Sequence, residues 1–285
     1  MGFFNVTIPP KDSLCYVVCE IKKSENDQYS TYFRVRLNCR KLLETTPQAM
    51  AVPTDNGGLY VIVTKEFLEN DTFWENCNTL DIQIINLRYL LPNDIYEKCL
   101  LYTIEYRLAP HWNKVESYLV EGQDFLSSSG SVNAIKLKIN DIRDNSAQFC
   151  VTAVNLKIPF LRLSNQRATT SSVYVLPKTT WATVLSQSEE IAENQSENHF
   201  RDYEDLRAYW KNMHGYILPE HEEGLLYYIV EFYSGSSILL YPETCLISNG
   251  ICWSVMDIDP KIYNRFREGL MKIVLCGQQL DVRTE

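Results

Sequence analysis

The chain has 285 residues, of which 45% are apolar and 22% are charged, and this composition excludes an intrinsically disordered protein. Its formal net charge of −9 disfavours binding to the phosphate backbone of nucleic acids and to anionic lipids. No uninterrupted apolar run reaches the ~18 residues that span a bilayer, so we expect no membrane partner.

Three short strands are predicted in the first 90 residues. Residues 14–22 (LCYVVCEIK) are rich in β-branched and aromatic side chains, which is typical of a buried strand. The turn signal Asn56-Gly57-Gly58 leads into a second strand at residues 59–64. Apolar and polar residues then alternate between Leu80 and Ile84, which indicates a half-buried third strand.

The apolar period changes to that of a helix after Asn93. Asn93 is the predicted N-cap, and Pro110 ends the pattern. The apolar positions at helical spacing are Ile95, Cys99, Tyr102 and Tyr106. Further along, residues 135–139 and 149–158 are apolar runs on either side of a polar turn, so we expect a β-hairpin there.

A linker is predicted at residues 164–172 (SNQRATTSS), which contain no large apolar side chain. This divides the chain into an N-terminal α+β domain, 1–163, and a C-terminal α+β domain, 173–285. Strands and helices are mixed without a regular β-α-β alternation. The predicted fold class is therefore α+β, with two packed halves that each contain a mostly antiparallel sheet and a few helices.

Two helices are predicted between the linker and residue 215. Trp181 to Leu185 begins the first, which passes into an acidic loop at residues 186–198. The second is marked by apolar residues at helical spacing and ends at Gly215. Its apolar positions are Tyr203, Leu206, Trp210 and Met213.

A hairpin and one more helix are predicted in the last 60 residues. The apolar runs 225–233 and 238–241 lie on either side of a Ser-Gly-Ser-Ser turn. For the final helix, Asp259 is the predicted N-cap and Pro260 the first helical residue. Its apolar stripe consists of Ile262, Phe266, Leu270 and Ile273.

The cysteines and the first ten residues predict a location inside the cell. The nine cysteines are scattered and odd in number, as expected of reduced core thiols. The opening MGFFNVTIPP lacks the features of a secretory signal. We therefore expect an intracellular protein, nuclear or cytoplasmic, that is not secreted.

No complete catalytic or cofactor-binding motif is present, so we predict no catalytic residue, cofactor or metal. The best metal-ligand set combines two of the four histidines, His214 and His221, with Cys245 and Cys252. Its six-residue gaps differ from the short spacings of paired zinc ligands. We therefore expect the histidines to flank an exposed loop and the two cysteines to pack as small hydrophobic residues.

Aromatic residues make up 12% of the chain, and several lie beside proline or glycine in predicted loops. Tyrosine and tryptophan are common anchors of protein interfaces, although they also fill cores. The candidate interaction residues are Arg107, Trp112, Lys114, Tyr216 and Tyr241. In an alternative interpretation, Arg107, Trp112 and Lys114 grip a nucleic-acid strand. The acidic residues of 186–205 would suit a basic partner.

Five segments are distinctive: 107–114 (RLAPHWNK), 119–126 (LVEGQDFL), 174–177 (YVLP), 203–219 (YEDLRAYWKNMHGYILP) and 240–246 (LYPETCL). The first and the fourth are the most specific, because each combines Trp with Pro and polar residues in one order. With them, the chain from about residue 95 onward resembles the family named after human chromosome 18 open reading frame 63, a domain of unknown function. The resemblance implies a shared fold. It implies no reaction, cofactor or catalytic residue.

The function predicted from these observations is that of a non-enzymatic intracellular scaffold or adaptor whose partner is another protein. Two alternatives stay open. One is a single-stranded nucleic-acid-binding protein, and the other is an enzyme with an unrecognised site. The oligomeric state is left open.

Overall fold

The computed structural model describes residues 1–22, 31–163, 171–191, 200–233, 237–256 and 258–284. Within these ranges the helices are α1 (Thr31–Thr45), α2 (Lys65–Leu68), α3 (Asp71–Thr79), α4 (Asn93–Leu108), α5 (Tyr203–His214) and α6 (Ile262–Met271). In the same described ranges, no helix combines the length and apolar character needed to cross a membrane.

The strands, in chain order, are β1 (Gly2–Thr7), β2 (Leu14–Ile21), β3 (Met50–Pro53), β4 (Gly58–Thr64), β5 (Ile82–Arg88), β6 (Trp112–Val115), β7 (Tyr118–Glu121), β8 (Ser131–Ile142), β9 (Ser146–Lys157), β10 (Ser172–Val175), β11 (Thr180–Ser188), β12 (Tyr227–Phe232), β13 (Ile238–Pro242), β14 (Leu246–Ile247), β15 (Cys252–Ser254), β16 (Val274–Leu275), β17 (Gln278–Gln279) and β18 (Asp281–Thr284). Neighbouring strands pair antiparallel. The predicted α+β fold class is confirmed.

The chain forms two compact units, and neither is a continuous segment. Unit 1 comprises residues 1–108, 137–152 and 260–285, and unit 2 comprises residues 109–136 and 153–259. Strands β8 and β9 each contribute residues to both units. The predicted linear boundaries at 163 and 173 stay a prediction, because residues 164–170 lie outside the described part of the chain.

Unit 1 contains a four-stranded sheet with the order β3-β4-β2-β5. Helices α1 and α4 both pack on β3. The apolar face of α1 is buried because Val35, Cys39 and Leu42 recur at helical spacing. In the same unit, β1 pairs with β18 and with the first half of β9.

Unit 2 contains a five-stranded sheet with the order β13-β12-β11-β10-β14. Strands β6 and β7 form a hairpin, and β7 pairs with β8. Helix α5 begins at Asp202, whose side chain accepts a hydrogen bond from the backbone N–H of Asp205, and ends at Gly215 in the left-handed conformation. Its apolar stripe is buried in the core of this unit.

Several predicted elements are confirmed. The strands predicted at residues 14–22 and 59–64 are β2 and β4, and the helix predicted after Asn93 is α4. The predicted hairpins are β8–β9 and β12–β13, although residues 234–236 of the second turn lie outside the described ranges. Helices α1 and α3 were not anticipated by the sequence pattern.

Two local predictions were wrong. Trp181 to Leu185 does not begin a helix, because it lies within strand β11, which pairs with both β10 and β12. A register shift between Val184 and Ser186 breaks the two-residue period that would have revealed this strand. Asp259 does not cap the last helix either, since α6 begins at Ile262 and Lys261 is its N-cap residue without a capping side-chain bond.

Candidate functional site

Among the described residues of unit 2, the 252–256 segment forms an exposed apolar run, which consists of strand β15 and the two residues that follow it. Trp253, Val255 and Met256 are 61%, 66% and 70% exposed. Cys252 and Ser254 are also exposed. An exposed run of this kind is unusual, because each apolar side chain left in water forgoes roughly 1.5–3 kcal/mol of burial free energy.

Strand β15 is held in place by main-chain pairing. It pairs antiparallel with the end of β9, with Cys252 opposite Lys157 and Trp253 opposite Leu156. Among the described strands β15 has no second partner, so its outer edge is open. The preceding residue, Ile251, packs partly against the core of unit 2 and anchors the segment on that side.

An open strand edge with exposed apolar side chains can accept a further strand. The outward N–H and C=O groups of an edge strand can form main-chain hydrogen bonds with such a strand. The Trp253 side chain supplies apolar area that a second strand would cover. The 252–256 segment is therefore our candidate functional site.

The charge of unit 2 defines the electrostatic environment of this site. Unit 2 contains 9 Lys and Arg against 17 Asp and Glu, whereas unit 1 contains 18 against 19. Nearly all of the chain's net negative charge therefore belongs to unit 2.

Two tyrosine side chains form hydrogen bonds at the acidic loop 220–223 of unit 2. The Tyr203 hydroxyl donates to the Pro219 carbonyl at 2.8 Å, and the Tyr227 hydroxyl donates to Glu222 at 2.6 Å. Burial, opposed by Arg207 and aided by Cys245 and Glu222, raises the pKa of Tyr203 to about 12. These bonds fasten the exposed acidic loop 220–223 to α5 and β12. Residues 192–199 of the predicted acidic loop lie outside the described ranges.

Two of the predicted interaction residues, Trp112 and Tyr216, are core side chains of unit 2, at 3% and 0% exposure. The Tyr216 ring stacks on Trp210 with centroids 5.7 Å apart and meets the edge of Phe125 at 5.0 Å. Burial holds the pKa of Tyr216 well above its usual range. Neither ring is accessible in this structure. Their role in an interaction stays a prediction.

The other three predicted residues lie in different environments. Arg107 belongs to unit 1, in the last turn of α4, and donates a hydrogen bond to the Leu43 carbonyl at 2.6 Å. In unit 2, the Lys114 side chain is exposed on β6 and Tyr241 is half-buried on β13, where its ring lies 5.7 Å from that of Trp210. The rings of Tyr216 and Tyr241 thus both contact Trp210, and the Tyr216 hydroxyl donates a hydrogen bond to the backbone carbonyl of Lys114.

The four residues of the metal-ligand set considered in the sequence analysis differ in how deeply they are buried. Cys245 is fully buried, whereas Cys252 and His221 are exposed. His214 packs its ring 4.7 Å from Trp210. Across the described ranges, no group of three or more His, Cys, Asp or Glu side chains is placed to hold a metal ion. The expectation that Cys252 packs as a small hydrophobic residue was wrong, because the open edge of β15 leaves it in solvent.

The exposure of the 252–256 segment could not be predicted from its sequence pattern. ICWSVM is an apolar run after Asn249-Gly250, and such a run most often indicates a buried strand. The segment is exposed because β15 lies at a sheet edge, where β9 is its one partner among the described strands. That position is a property of the tertiary structure.

Three solved Argonaute structures show weak similarity. They are the Aa-Ago crystal structure with externally bound siRNA (9% identity, 98% of this chain and 42% of that chain, TM-score 0.34), the Argonaute protein from Methanocaldcoccus janaschii (9%, 94% and 36%, 0.31) and Aquifex aeolicus Argonaute (11%, 100% and 43%, 0.34). This chain spans less than half the length of each of them. TM-scores this low do not establish a shared fold.

A protein-family model also matches the chain. The model described as a domain of unknown function matches residues 2–173 and 161–254. These two matches together cover well over half of the chain and reach into the 252–256 segment as far as residue 254. The chain therefore belongs to the family Domain of unknown function (DUF4708).

Proposed function

We propose that this chain is a non-enzymatic protein-interaction module in which unit 2 binds an extended, net-basic segment of another protein along the open edge of β15. The observation that carries the proposal is the exposure of Trp253 on a strand whose outer edge has no described partner, together with the exposure of Val255 and Met256 directly after that strand. Strand addition satisfies the edge hydrogen bonds and buries the apolar side chains in one step.

The charge of unit 2 selects the kind of segment. With 17 acidic against 9 basic residues, the unit attracts positively charged chains and repels acidic ones. The same excess disfavours nucleic acid, and the buried ring of Trp112 is not placed to stack on a base. We therefore propose a protein, and not a nucleic acid, as the partner.

A nuclear or cytoplasmic location belongs to the same proposal. All nine cysteines lie in the described ranges and none forms a disulfide, which suits a reducing compartment. We also propose that the family to which the chain belongs is the one named after human chromosome 18 open reading frame 63, on the strength of the five segments quoted above.

The test uses a display library of random 12-residue peptides selected on the full chain, followed by affinity measurement on the selected peptides. We expect net-basic peptides whose affinity falls at least about tenfold in Trp253→Ser, since a buried aromatic anchor contributes 2 kcal/mol or more. Tyr233→Ser is the matched control, because Tyr233 is a 92% exposed aromatic residue of unit 2 outside the segment. Hydrogen exchange at residues 252–256 should slow when the peptide binds.

Three results would contradict the proposal. One is the absence of any selected peptide, and another is equal affinity for the wild type and Trp253→Ser. The third is a selected set that is net acidic, which would show that the charge of unit 2 does not choose the ligand.

A further inference from the structure

Two antiparallel pairings at the end of β9 differ in register. Beyond the end of the strand, Phe160 forms an isolated bridge with Ile247, whereas within the strand Lys157 pairs with Cys252 of β15. Two residues lie between Lys157 and Phe160, but four lie between Ile247 and Cys252. The 248–251 stretch therefore contains two residues more than the chain that it faces, as in an enlarged β-bulge.

The two additional residues are Asn249 and Gly250. Ser248 stays close to the neighbouring chain, because its N–H and its hydroxyl group both donate hydrogen bonds to the Pro159 carbonyl, at 2.9 and 3.2 Å. Ile251 packs partly against the core of unit 2. Asn249 and Gly250, in contrast, are both exposed. The pair thus forms a short solvent-exposed loop between two fixed points, which we call the 249–250 loop.

An Asn-Gly pair in such a loop is open to an intramolecular reaction. The reacting groups are the side-chain Cγ of Asn249 and the main-chain nitrogen of Gly250, which the covalent chain itself holds close together. Glycine has no Cβ atom to obstruct their approach, and it reaches more backbone conformations than other residues. Within the described ranges, the Gly250 N–H donates no hydrogen bond. Its nitrogen can therefore turn toward Cγ.

The other Asn-Gly pair of the sequence, Asn56-Gly57, lies in a closed turn of unit 1. There the Gly57 N–H donates to the Thr54 carbonyl at 3.2 Å, and the Gly58 N–H donates to the Thr54 hydroxyl at 3.0 Å. Gly57 is held at a φ of +80°. This turn must open before the Gly57 nitrogen can reach the side chain of Asn56. The two pairs are identical in sequence and differ in their structural constraint.

We propose that Asn249 is a site of spontaneous deamidation and isoaspartate formation. The Gly250 nitrogen bonds to Cγ of Asn249, and the side-chain nitrogen leaves as ammonia with the proton of the Gly250 amide, which closes a succinimide ring. One water molecule then opens the ring. Cleavage at Cγ leaves aspartate, whereas cleavage at the main-chain carbonyl carbon leaves isoaspartate. Asparagine is one of the thermolabile residues of proteins for reasons of this kind.

Isoaspartate changes the length of the connection to β15. Its main chain passes through Cβ and Cγ, so one carbon atom is added between Ser248, which is bonded to Pro159, and Cys252, which is paired with Lys157. We expect the pairing of β15 with β9 to loosen, because it covers three residue pairs and β15 has no second partner among the described strands. The modification does not depend on the function proposed for unit 2.

The test incubates the native full chain at mildly alkaline pH and follows both Asn-Gly pairs by peptide mapping with mass spectrometry. Isoaspartate is identified with a methyltransferase specific for that residue. We expect Asn249 to convert at least about fivefold faster than Asn56, because the turn at Asn56 must first break a hydrogen bond. In the urea-unfolded chain the two rates should be similar, since the turn is then lost. A native chain in which Asn56 converts as fast as Asn249 would overturn the site.

Gly250→Ala supplies the matched variant. Its methyl group obstructs ring closure while the loop keeps its place, because no described atom beyond the two chain neighbours lies within 4 Å of an added Cβ. We expect the conversion of Asn249 to be largely lost and that of Asn56 to be unchanged. Undiminished conversion of Asn249 in this variant would refute the proposed ring closure.

A second measurement separates the added length from the added charge. The isoaspartate form is isolated by ion exchange, and hydrogen exchange is followed at residues 252–254. We expect exchange there to be at least about fivefold faster than in the wild type, as the loss of one hydrogen bond would cause. Asn249→Asp is the control, because it adds the same charge without the additional main-chain atom, and it should exchange at the wild-type rate. Equal exchange in the isoaspartate form and the wild type would refute the loosening of β15.

Discussion

The hydroxyl group of Tyr216 donates a hydrogen bond to the main-chain carbonyl of Lys114, although the two residues are 102 positions apart in the chain. This bond joins the segment after α5 to strand β6 in unit 2. The Tyr216 ring is stacked on Trp210 at the same place. Two segments with the most distinctive sequence patterns are thus joined in the core, which explains their aromatic and proline-rich composition without requiring that they contact a partner.

Removal of this hydroxyl should lower stability by an amount that a hydrogen bond explains. We expect Tyr216→Phe to reduce the free energy of unfolding by about 1–2 kcal/mol, because the part-buried hydrogen bond to the carbonyl of Lys114 is lost. Tyr216→Ala should cost about 3–5 kcal/mol, since it also leaves a large cavity. Urea unfolding of the full chain measures both values. No loss in Tyr216→Phe would show that the ring, and not the bond, carries the whole effect.

Cys252 should be the fastest cysteine to react with a thiol reagent in the native protein. It is the exposed cysteine, whereas seven others are buried and Cys276 is intermediate. Burial raises the pKa of Cys276 to about 12, so that thiol is also slow. The rate of reaction with Ellman's reagent at pH 8 should show one rapid phase that disappears in Cys252→Ser. A rapid phase that persists in this variant would contradict the exposed position of β15.

The buried Cys77 should make stability depend on alkaline pH. Burial raises the pKa of its thiol from 9.0 to about 11, so the folded state holds the proton more tightly than the unfolded chain. The resulting stabilisation is complete below pH 9 and is lost as the pH rises from 9 to 11. We expect stability in Cys77→Ala to fall less steeply than in the wild type, by up to about 1.4 kcal/mol per pH unit.

Chemical denaturation at several pH values between 8 and 11 measures this difference. At pH 8, Cys77→Ala should already be less stable, because it removes a buried side chain. The gap between the two proteins should then narrow as the pH rises. A gap of constant size would mean that the thiol does not titrate differently in the folded and unfolded states.

Gly58 should be intolerant of a larger side chain. A Cβ atom at this position would lie 2.5 Å from the main-chain carbonyl oxygen of Cys19 on the paired strand β2. We expect Gly58→Ala to destabilise the protein by about 1–3 kcal/mol through backbone displacement. Gly250→Ala is the control, because no described atom beyond its two chain neighbours lies within 4 Å of an added Cβ, and it should change stability by no more than about 0.5 kcal/mol. Thermal or urea unfolding compares the two.

The fold could be predicted from sequence wherever a single local period dominates. Residues 14–22 and 59–64 form strands as their β-branched runs indicate, and α5 ends at Gly215 because glycine enters the left-handed conformation without steric cost. The stripe of Ile262, Phe266 and Leu270 is buried as its spacing requires. Local patterns failed where two influences compete. The bulge in β11 hides its strand period, and the mixed polar and apolar face of α1 conceals a helix.

The sequence by itself determined the α+β class, the positions of the regular elements with a clear period, and the excess of acidic residues. Only the tertiary structure decided which aromatic side chains are covered and which are open: Trp112 and Tyr216 are buried, whereas Trp253 is exposed. The physical reason is that burial depends on which distant strands and helices cover a side chain. Two equally apolar runs therefore differ when one lies inside a sheet and the other lies at its edge.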